Sequence, residues 1–416
     1  MKNIWIIDHY SSEPKYGGIS RQYDFAKELG KRGYNVVVIA SSFSHFTHSY
    51  FSEKKIMYSE CAEGVHYVYL RTCSYDTNNG AKRAKSMFDF LYQVVSHQKE
   101  LVRIYGKPDV VTGCSVHPMA WVAAYKIACK YKIRFCIEVR DFWPRIWTAA
   151  GEKKKYDPMV IFFGLLQKWA YQRADRIIYS MLYGDKYICG ELGINPQKVY
   201  LIGQPMDCER YDENSQRLEL LPERIRDFMK ESFVCVFAGY CMKYEGVFVM
   251  LKAARILQKK GLPIKMVFVG NGAEKEKMLR FAEQYKLKNV LIEERISKEA
   301  VPALLAHSDV CMAHLEVQGH REVYKYGVSK NKVNEYLYSG ACTLYGFLYK
   351  EDPVEACGGG YVFGPYNEKE LAEYIEKIYK MPIEERKKMG DKGRAYIREN
   401  HRVEVLVDKL EKVLFE

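Results

Sequence analysis

The chain carries 12 cysteines but no Cys-x-x-Cys pair, which removes both a zinc cluster and a legible disulfide framework. Scattered thiols of this kind suit a reducing, cytosolic compartment. No apolar run reaches the length of a membrane span. The opening Met1-Lys2-Asn3-Ile4-Trp5-Ile6-Ile7-Asp8-His9 turns polar too early for a signal peptide. Any contact with a membrane is therefore expected from its cytoplasmic face. No G-x-G-x-x-G follows the first apolar run, which weakens a dinucleotide reading. No Asp-x-Asp pair stands beside a strand, so no metal and no bound cofactor is expected. Negative charge is scarce in the first half alone: residues 1–205 hold 29 Lys/Arg against 18 Asp/Glu, and residues 206–416 hold 35 against 34. The basic half suits a phosphate-bearing partner or an anionic membrane surface. The excess is not interleaved with a nucleic-acid-binding motif, and no nucleic-acid partner is expected.

What is present is a globular composition, 48% hydrophobic over 416 residues, enough for two or three domains. Ile4–Ile7 and Val36–Ala40 read as buried parallel strands, with a helix over Ser20–Arg32 between them. Gly17-Gly18 sits in the loop that joins them, open to a flexible turn or to close approach of a phosphate. Further strands are expected at Asp109–Thr112, Phe135–Val139 and Arg176–Ser180. Helices are expected over residues 81–105, Ala120–Lys130 and Pro158–Arg173. The first of these pairs a basic start with an aromatic face, as an interfacial helix does, although a core-packed helix reads the same way; the last, after Lys153-Lys154-Lys155, is a second aromatic helix. Lys198–Ile202 and the polar stretch to Lys230 read as a linker. A second βα series follows, with strands Phe233–Ala238, Ile264–Val269, Val290–Ile292 and Asp309–Ala313.

Ligands in open parallel sheets sit beyond the carboxyl ends of the strands. Arg140-Asp141-Phe142-Trp143-Pro144 leaves one such end, and His117 follows another. In the second half, Gly239, the Gly270-Asn271-Gly272 turn and the loop Glu294-Arg295-Ile296 occupy equivalent places. The stretch Tyr326-Gly327-Val328-Ser329-Lys330-Asn331-Lys332-Val333-Asn334-Glu335 reads as a turn feeding a helix, with Ser329 or Asn331 as its N-cap. Lys332 in the first turn is unfavourable beside the positive helix end unless an anion binds there. Glu335 lies one turn on, near the same face. A capped surface helix with a solvated Lys–Glu pair is the plainer alternative.

Gly17-Gly18, Glu138-Val139-Arg140-Asp141-Phe142-Trp143-Pro144 and Tyr326–Lys332 together resemble the family 4 retaining glycosyltransferases of GT-B fold. Within them the chain is most similar to bacterial surface-polysaccharide enzymes of the L-fucosamine (N-acetylfucosaminyl) transferase type. The resemblance implies an α/β fold with two Rossmann-like domains facing across a cleft. Residues 1–205 would bind the acceptor, 206–398 the nucleotide sugar, and a helix in 399–416 would cross back to the first domain. It also implies a UDP-sugar donor and a lipid-linked diphosphate sugar as acceptor. Glu335 would hold the ribose, and Ser329, Asn331, Lys332, Gly239 and Gly17-Gly18 would face the diphosphate. Arg295 and Ile296 would read the base, with Gly270, Gly272 and Lys243 nearby. Asp141, Arg140 and Lys332 would carry the chemistry, and His117, Arg140 and Trp143 the acceptor. The chain departs from the family where its donor-phosphate Arg and Lys give way to Tyr240 and Glu245, and where a glutamate gives way to Gly327. A UDP-sugar 2-epimerase-like enzyme on the same fold, or a non-catalytic two-lobed sugar-binding protein, are the alternatives.

Overall fold

The computed structural model describes the chain except residues 18, 19, 46, 77–79, 316–321, 323 and 349–351. It divides into two compact units: Met1–Pro205 with Glu322–Ser329 and Val403–Glu416, and Met206–Arg321 with Lys330–Arg402.

The first unit is built on β1 (Asn3–Ile7), β2 (Asn35–Ser41), β3 (Ile56–Ala62), β4 (Val65–Leu70), β5 (Val110–Cys114), β6 (Arg134–Val139), β7 (Arg176–Tyr179) and β8 (Val199–Leu201). Their order is β3-β4-β2-β1-β5-β6-β7-β8, parallel except for the antiparallel β3–β4 pair. Val, Ile and Trp fill most of β1 and β2 without alternation, and β5 is buried throughout, because helices cover both faces. Those helices are α1 (Arg21–Lys31), α2 (Ala81–Tyr105), α3 (Met119–Tyr131), the short α4 (Arg145–Ala149) and α5 (Pro158–Arg173). The terminal helix Val403–Phe415 adds Leu406, Val407, Leu410 and Leu414, spaced to form one apolar face, to the core around Phe25 and Leu29. Arg32, at the C-cap of α1, fixes its outer side through Asp408 at 2.7 Å and Glu411 at 2.5 Å.

The second unit carries β9 (Phe233–Ala238), β10 (Ile264–Val269), β11 (Val290–Glu293), β12 (Val310–His314), β13 (Cys342–Gly346) and β14 (Gly360–Phe363). They form one all-parallel sheet, β11-β10-β9-β12-β13-β14. Around it lie α6 (Cys208–Ser215), α7 (Glu223–Met229), α8 (Val247–Lys259), α9 (Lys275–Gln284), α10 (Val301–Ala306), α11 (Asn331–Ser339), α12 (Pro353–Ala356), α13 (Glu368–Lys380) and α14 (Ile383–Asn400). Strand order reverses between β1 and β5 in one unit and between β9 and β12 in the other. Each reversal leaves a crevice at the carboxyl ends of the strands.

Four expectations are corrected. The segment 198–202 is not linker, because Val199–Leu201 pairs with β7 as an edge strand. The polar stretch to Lys230 folds as α6 and α7, which bury Cys208, Tyr211 and Ile225 on one side and so leave little apolar pattern to read. The 206–398 domain is interrupted, since Glu322–Ser329 groups with the first unit. Tyr326 is held there: its carbonyl accepts from Tyr183 N–H at 3.1 Å, and its ring packs on Phe142 and Tyr187. Finally, α11 takes neither Ser329 nor Asn331 as N-cap; Lys330 occupies that place without a side-chain cap bond.

Candidate active site

In the first unit, the ends of β1, β5 and β6 gather a buried polar cluster. Asp8 follows β1, Ser115 and His117 follow β5, and Arg140 and Asp141 follow β6. Arg140 is held from three sides. Its N–H donates to Ser115 Oγ at 2.8 Å, its Nε to Ser115 O at 3.1 Å, and its Nη2 pairs with Asp8 Oδ2 at 3.0 Å. Arg140 Nη1 is buried without a hydrogen-bond partner. Behind it, Glu138 accepts from Arg21 Nε at 2.7 Å and from Gln22. Burial works against the Glu138 carboxylate, but Arg21 and Arg140 outweigh it and hold the carboxyl below its ordinary value. For Asp8 and Asp141 burial prevails over Arg140, and both carboxyls are pushed up.

Arg140 and half-buried Asp141 line a cavity of about 100 Å³ together with Phe142, Arg145, Gly327 and Ser329. Arg145 Nη1 donates to Glu322 O at 2.5 Å, and its guanidinium lies over the Tyr326 ring. The acceptor roles expected for His117 and Trp143 are not supported by their surroundings. His117 is buried with Nε2 2.5 Å from His9 Nδ1, and burial, then the Arg83 charge, bring its pKa down to about 3. Trp143 packs in a small core with Met87, Met119 and Phe163. An aromatic that follows a polar strand end looks like a wall of a site; here hydrophobic burial takes it inward. Gly17 lies in an exposed turn with φ of 71°, and Gly18 lies outside the described residues.

In the second unit, a glycine approach and two lysines converge where β9 and β12 part. Gly239 N donates to Val269 O at 2.9 Å, so the loops after β9 and β10 run together. Gly270, with φ of 146°, permits this: a Cβ there would strike the Gly239 carbonyl. Lys332 reaches from the first turn of α11 across Gly239. Its Nζ lies 2.9 Å from Glu245 Oε2 and 4.8 Å from the Phe237 ring centre. Lys330 joins the same carboxylate at 3.4 Å and donates to His314 O at 2.9 Å. One buried carboxylate thus holds two ammonium groups at an uncapped helix N-terminus. Burial, only partly offset by Glu245, brings Lys330 down to about 8.

Glu335 is half-buried one turn along α11. Burial raises its pKa against the opposing charges of Lys298, Lys332 and Arg210. Asn331 is exposed at the first helical position, and Ser329 belongs to the first unit. Gly272 continues the β10 loop, while Arg295, exposed, and Ile296, partly so, follow β11. Lys243, expected as the nearby cation, is exposed on the turn Lys243–Glu245, and Glu245 is the residue of that turn that points inward to the lysines. Lys330, Glu245, Asp8, His9 and Arg21 were not among the expected site residues. Lysines flanking a helix start, and a glutamate inside the apolar run Ile137-Glu138-Val139, are the signals that mark such clusters.

Residues 16–210 match the family model "Glycosyltransferase Family 4", and residues 223–320 match "Glycosyl transferases group 1". No curated protein sequence matches the chain significantly. Among solved structures, a UDP-forming trehalose-phosphate synthase from Burkholderia xenovorans aligns with a TM-score of 0.71 at 14% identity, covering 100% of this chain and 99% of that one. Anabaena Alr3699/HepE in complex with UDP aligns at 0.66 and 14%, covering 100% and 99%. WaaG, a glycosyltransferase involved in lipopolysaccharide biosynthesis, aligns at 0.67 and 14%, covering 99% of each chain. At such identities these likenesses define the fold, two Rossmann-like parallel-sheet domains of the GT-B class. The two family models, one on each half, support a glycosyltransferase of the family 4 type.

Proposed function

We propose that the protein transfers a sugar, with retention of configuration, from a UDP-sugar to a lipid-linked diphosphate sugar in bacterial surface-polysaccharide synthesis. Capsule, O-antigen or exopolysaccharide would be the product class, and the activity would be of the L-fucosamine transferase type. The protein would act at the cytoplasmic face of the membrane. The observation that carries the reading is the Lys330–Glu245–Lys332 cluster over Gly239, at the start of α11. Transfer leaves negative charge on the departing diphosphate. Two lysines and the uncapped amides of α11 offer positioned positive charge for it, with no metal assigned. Glu335 would accept from the ribose hydroxyls, and the backbone at Arg295 and Ile296 would read uracil. Arg140 and Asp141 would orient the acceptor, which the first unit would hold.

HepE is described in complex with UDP, and the trehalose-phosphate synthase as UDP-forming, which favours uracil as the base. A UDP-sugar epimerase on this fold would use the same donor crevice and need no acceptor. Incubation with UDP-sugars, with and without lipid-linked acceptors, separates the two. Acceptor-dependent UDP release, an anomeric centre of unchanged configuration, and its loss in Lys332→Ala are expected. Donor conversion without acceptor, or wild-type turnover in Lys332→Ala, would overturn the assignment.

A further inference from the structure

One face of α5 is apolar and open to solvent. Inward, Val160, Phe163, Ala170 and Tyr171 are buried at helical spacing. Outward, Met159, Ile161, Phe162 and Leu165 are exposed, Leu165 by 65% and Phe162 by 48%. Tyr156 stands exposed just before the helix. A soluble surface helix normally turns charge outward, so a four-residue apolar stripe on this face marks a contact. The small core that Phe163 and Leu166 enter is shared by Met87 and Leu91 of α2, whose neighbours Phe88 and Tyr92 are also exposed. Basic residues border the stripe: Lys153, Lys154 and Lys155 precede it, and Lys168 lies one turn beyond Leu165. Lys153 pairs with the N-cap Asp157 at 3.0 Å, while Lys154, Lys155 and Lys168 are exposed.

We infer that this face seats the first unit on an anionic lipid bilayer, with Phe162 and Leu165 entering the acyl boundary and the lysines meeting the headgroups. Apolar residues bordered by lysines are what an interfacial helix needs. A second copy of this chain fits less well, because a two-fold contact on this face would bring one lysine rim against the other. The inference rests on the reading that the acceptor is lipid-linked, but its test needs no sugar transfer.

The test is co-sedimentation of the full chain with vesicles of phosphatidylglycerol and phosphatidylcholine, and with phosphatidylcholine alone. UDP-induced thermal stabilisation serves as an independent readout of the donor crevice. Wild-type protein should bind the anionic vesicles, less so at high salt. Phe162→Ser/Leu165→Ser should lower partitioning at least tenfold. Lys154→Glu/Lys155→Glu should lower it by at least about fivefold for each charge. Both variants should keep the melting temperature of the wild type. Absence of vesicle binding by the wild type, or binding unchanged in either variant, would overturn the inference. So would a wild-type dimer that Phe162→Ser/Leu165→Ser converts to a monomer. Vesicle binding in a protein that shows no response to UDP would uphold the inference and count against the donor reading alone.

Discussion

Gly239 offers a way to move Lys332 without replacing it. A Cβ added at position 239 would stand 2.5 Å from Lys332 Nζ and 3.3 Å from its Cε. Ordinary contacts between such atoms are about 3.5–4 Å, so the ammonium group must withdraw by roughly 1 Å. That displacement loosens the 2.9 Å contact with Glu245, which Lys330 continues to hold, and takes the charge away from the loop over which the diphosphate is placed. A hydrogen bond to a charged group contributes about 1.5–3 kcal/mol, so UDP affinity in Gly239→Ala should fall roughly ten- to hundredfold. Folding should suffer little, within about 1 kcal/mol, because Gly239 is not among the left-handed glycines and the clashing atoms end a flexible side chain. Gly270→Ala is the contrast, since its Cβ would meet the Gly239 backbone and its φ is 146°. Calorimetric UDP titration and thermal melting should therefore separate the two: lost affinity with a retained fold, against a lost fold. Wild-type UDP affinity in a folded Gly239→Ala protein would refute the placement of the diphosphate under Lys332.

The other predictions concern buried charges. A diphosphate beside Lys330, whose pKa is about 8, favours the charged amine, so UDP binding should take up a proton near pH 8 and weaken above it. Without ligand, the folded value of about 8 lies below the ordinary 10.5, so the unfolded chain binds more protons between them; stability should rise with pH across that window, and Lys330→Met should flatten the rise. Calorimetry in buffers of different ionisation enthalpy reads the uptake, and none at pH 8 would contradict the assignment. In the first unit, Arg21→Met strands the buried Glu138 carboxylate and should cost about 3–5 kcal/mol by denaturant melting, a buried pair having lost one partner. A cost under about 1 kcal/mol would mean that Gln22 and Arg140 suffice.

Strands buried on both faces were the most legible part of the sequence. Phe233–Ala238 is a continuous apolar run and Ile264–Val269 is broken only by Lys265, both bounded by polar loops, and the structure ends them at the same residues. The β3–β4 pair escaped because Ile56–Ala62 lies at the sheet edge and is half polar. α6 and α7 escaped because short helices that bury one side of a polar surface have little period to detect. For the candidate site, a residue's place along the chain was readable but its direction was not. Trp143 turned into a core, His117 met His9 from another strand, and Lys330 joined Lys332 through a glutamate more than eighty residues earlier. Contacts between distant loops leave no spacing in the sequence. Lys332 could be singled out because its cost at a helix start is local; Glu245 gained its part only when β9 and β12 were set side by side.

Thermal stabilisation by UDP, GDP, ADP, CMP and dTDP, with Glu335→Ala as the control, tests the central claim most directly. A ligand that binds only the folded chain raises its apparent stability. The account predicts a shift with UDP that the other nucleotides do not match and that Glu335→Ala abolishes. No shift with any nucleotide, or an undiminished UDP shift in Glu335→Ala, would contradict it.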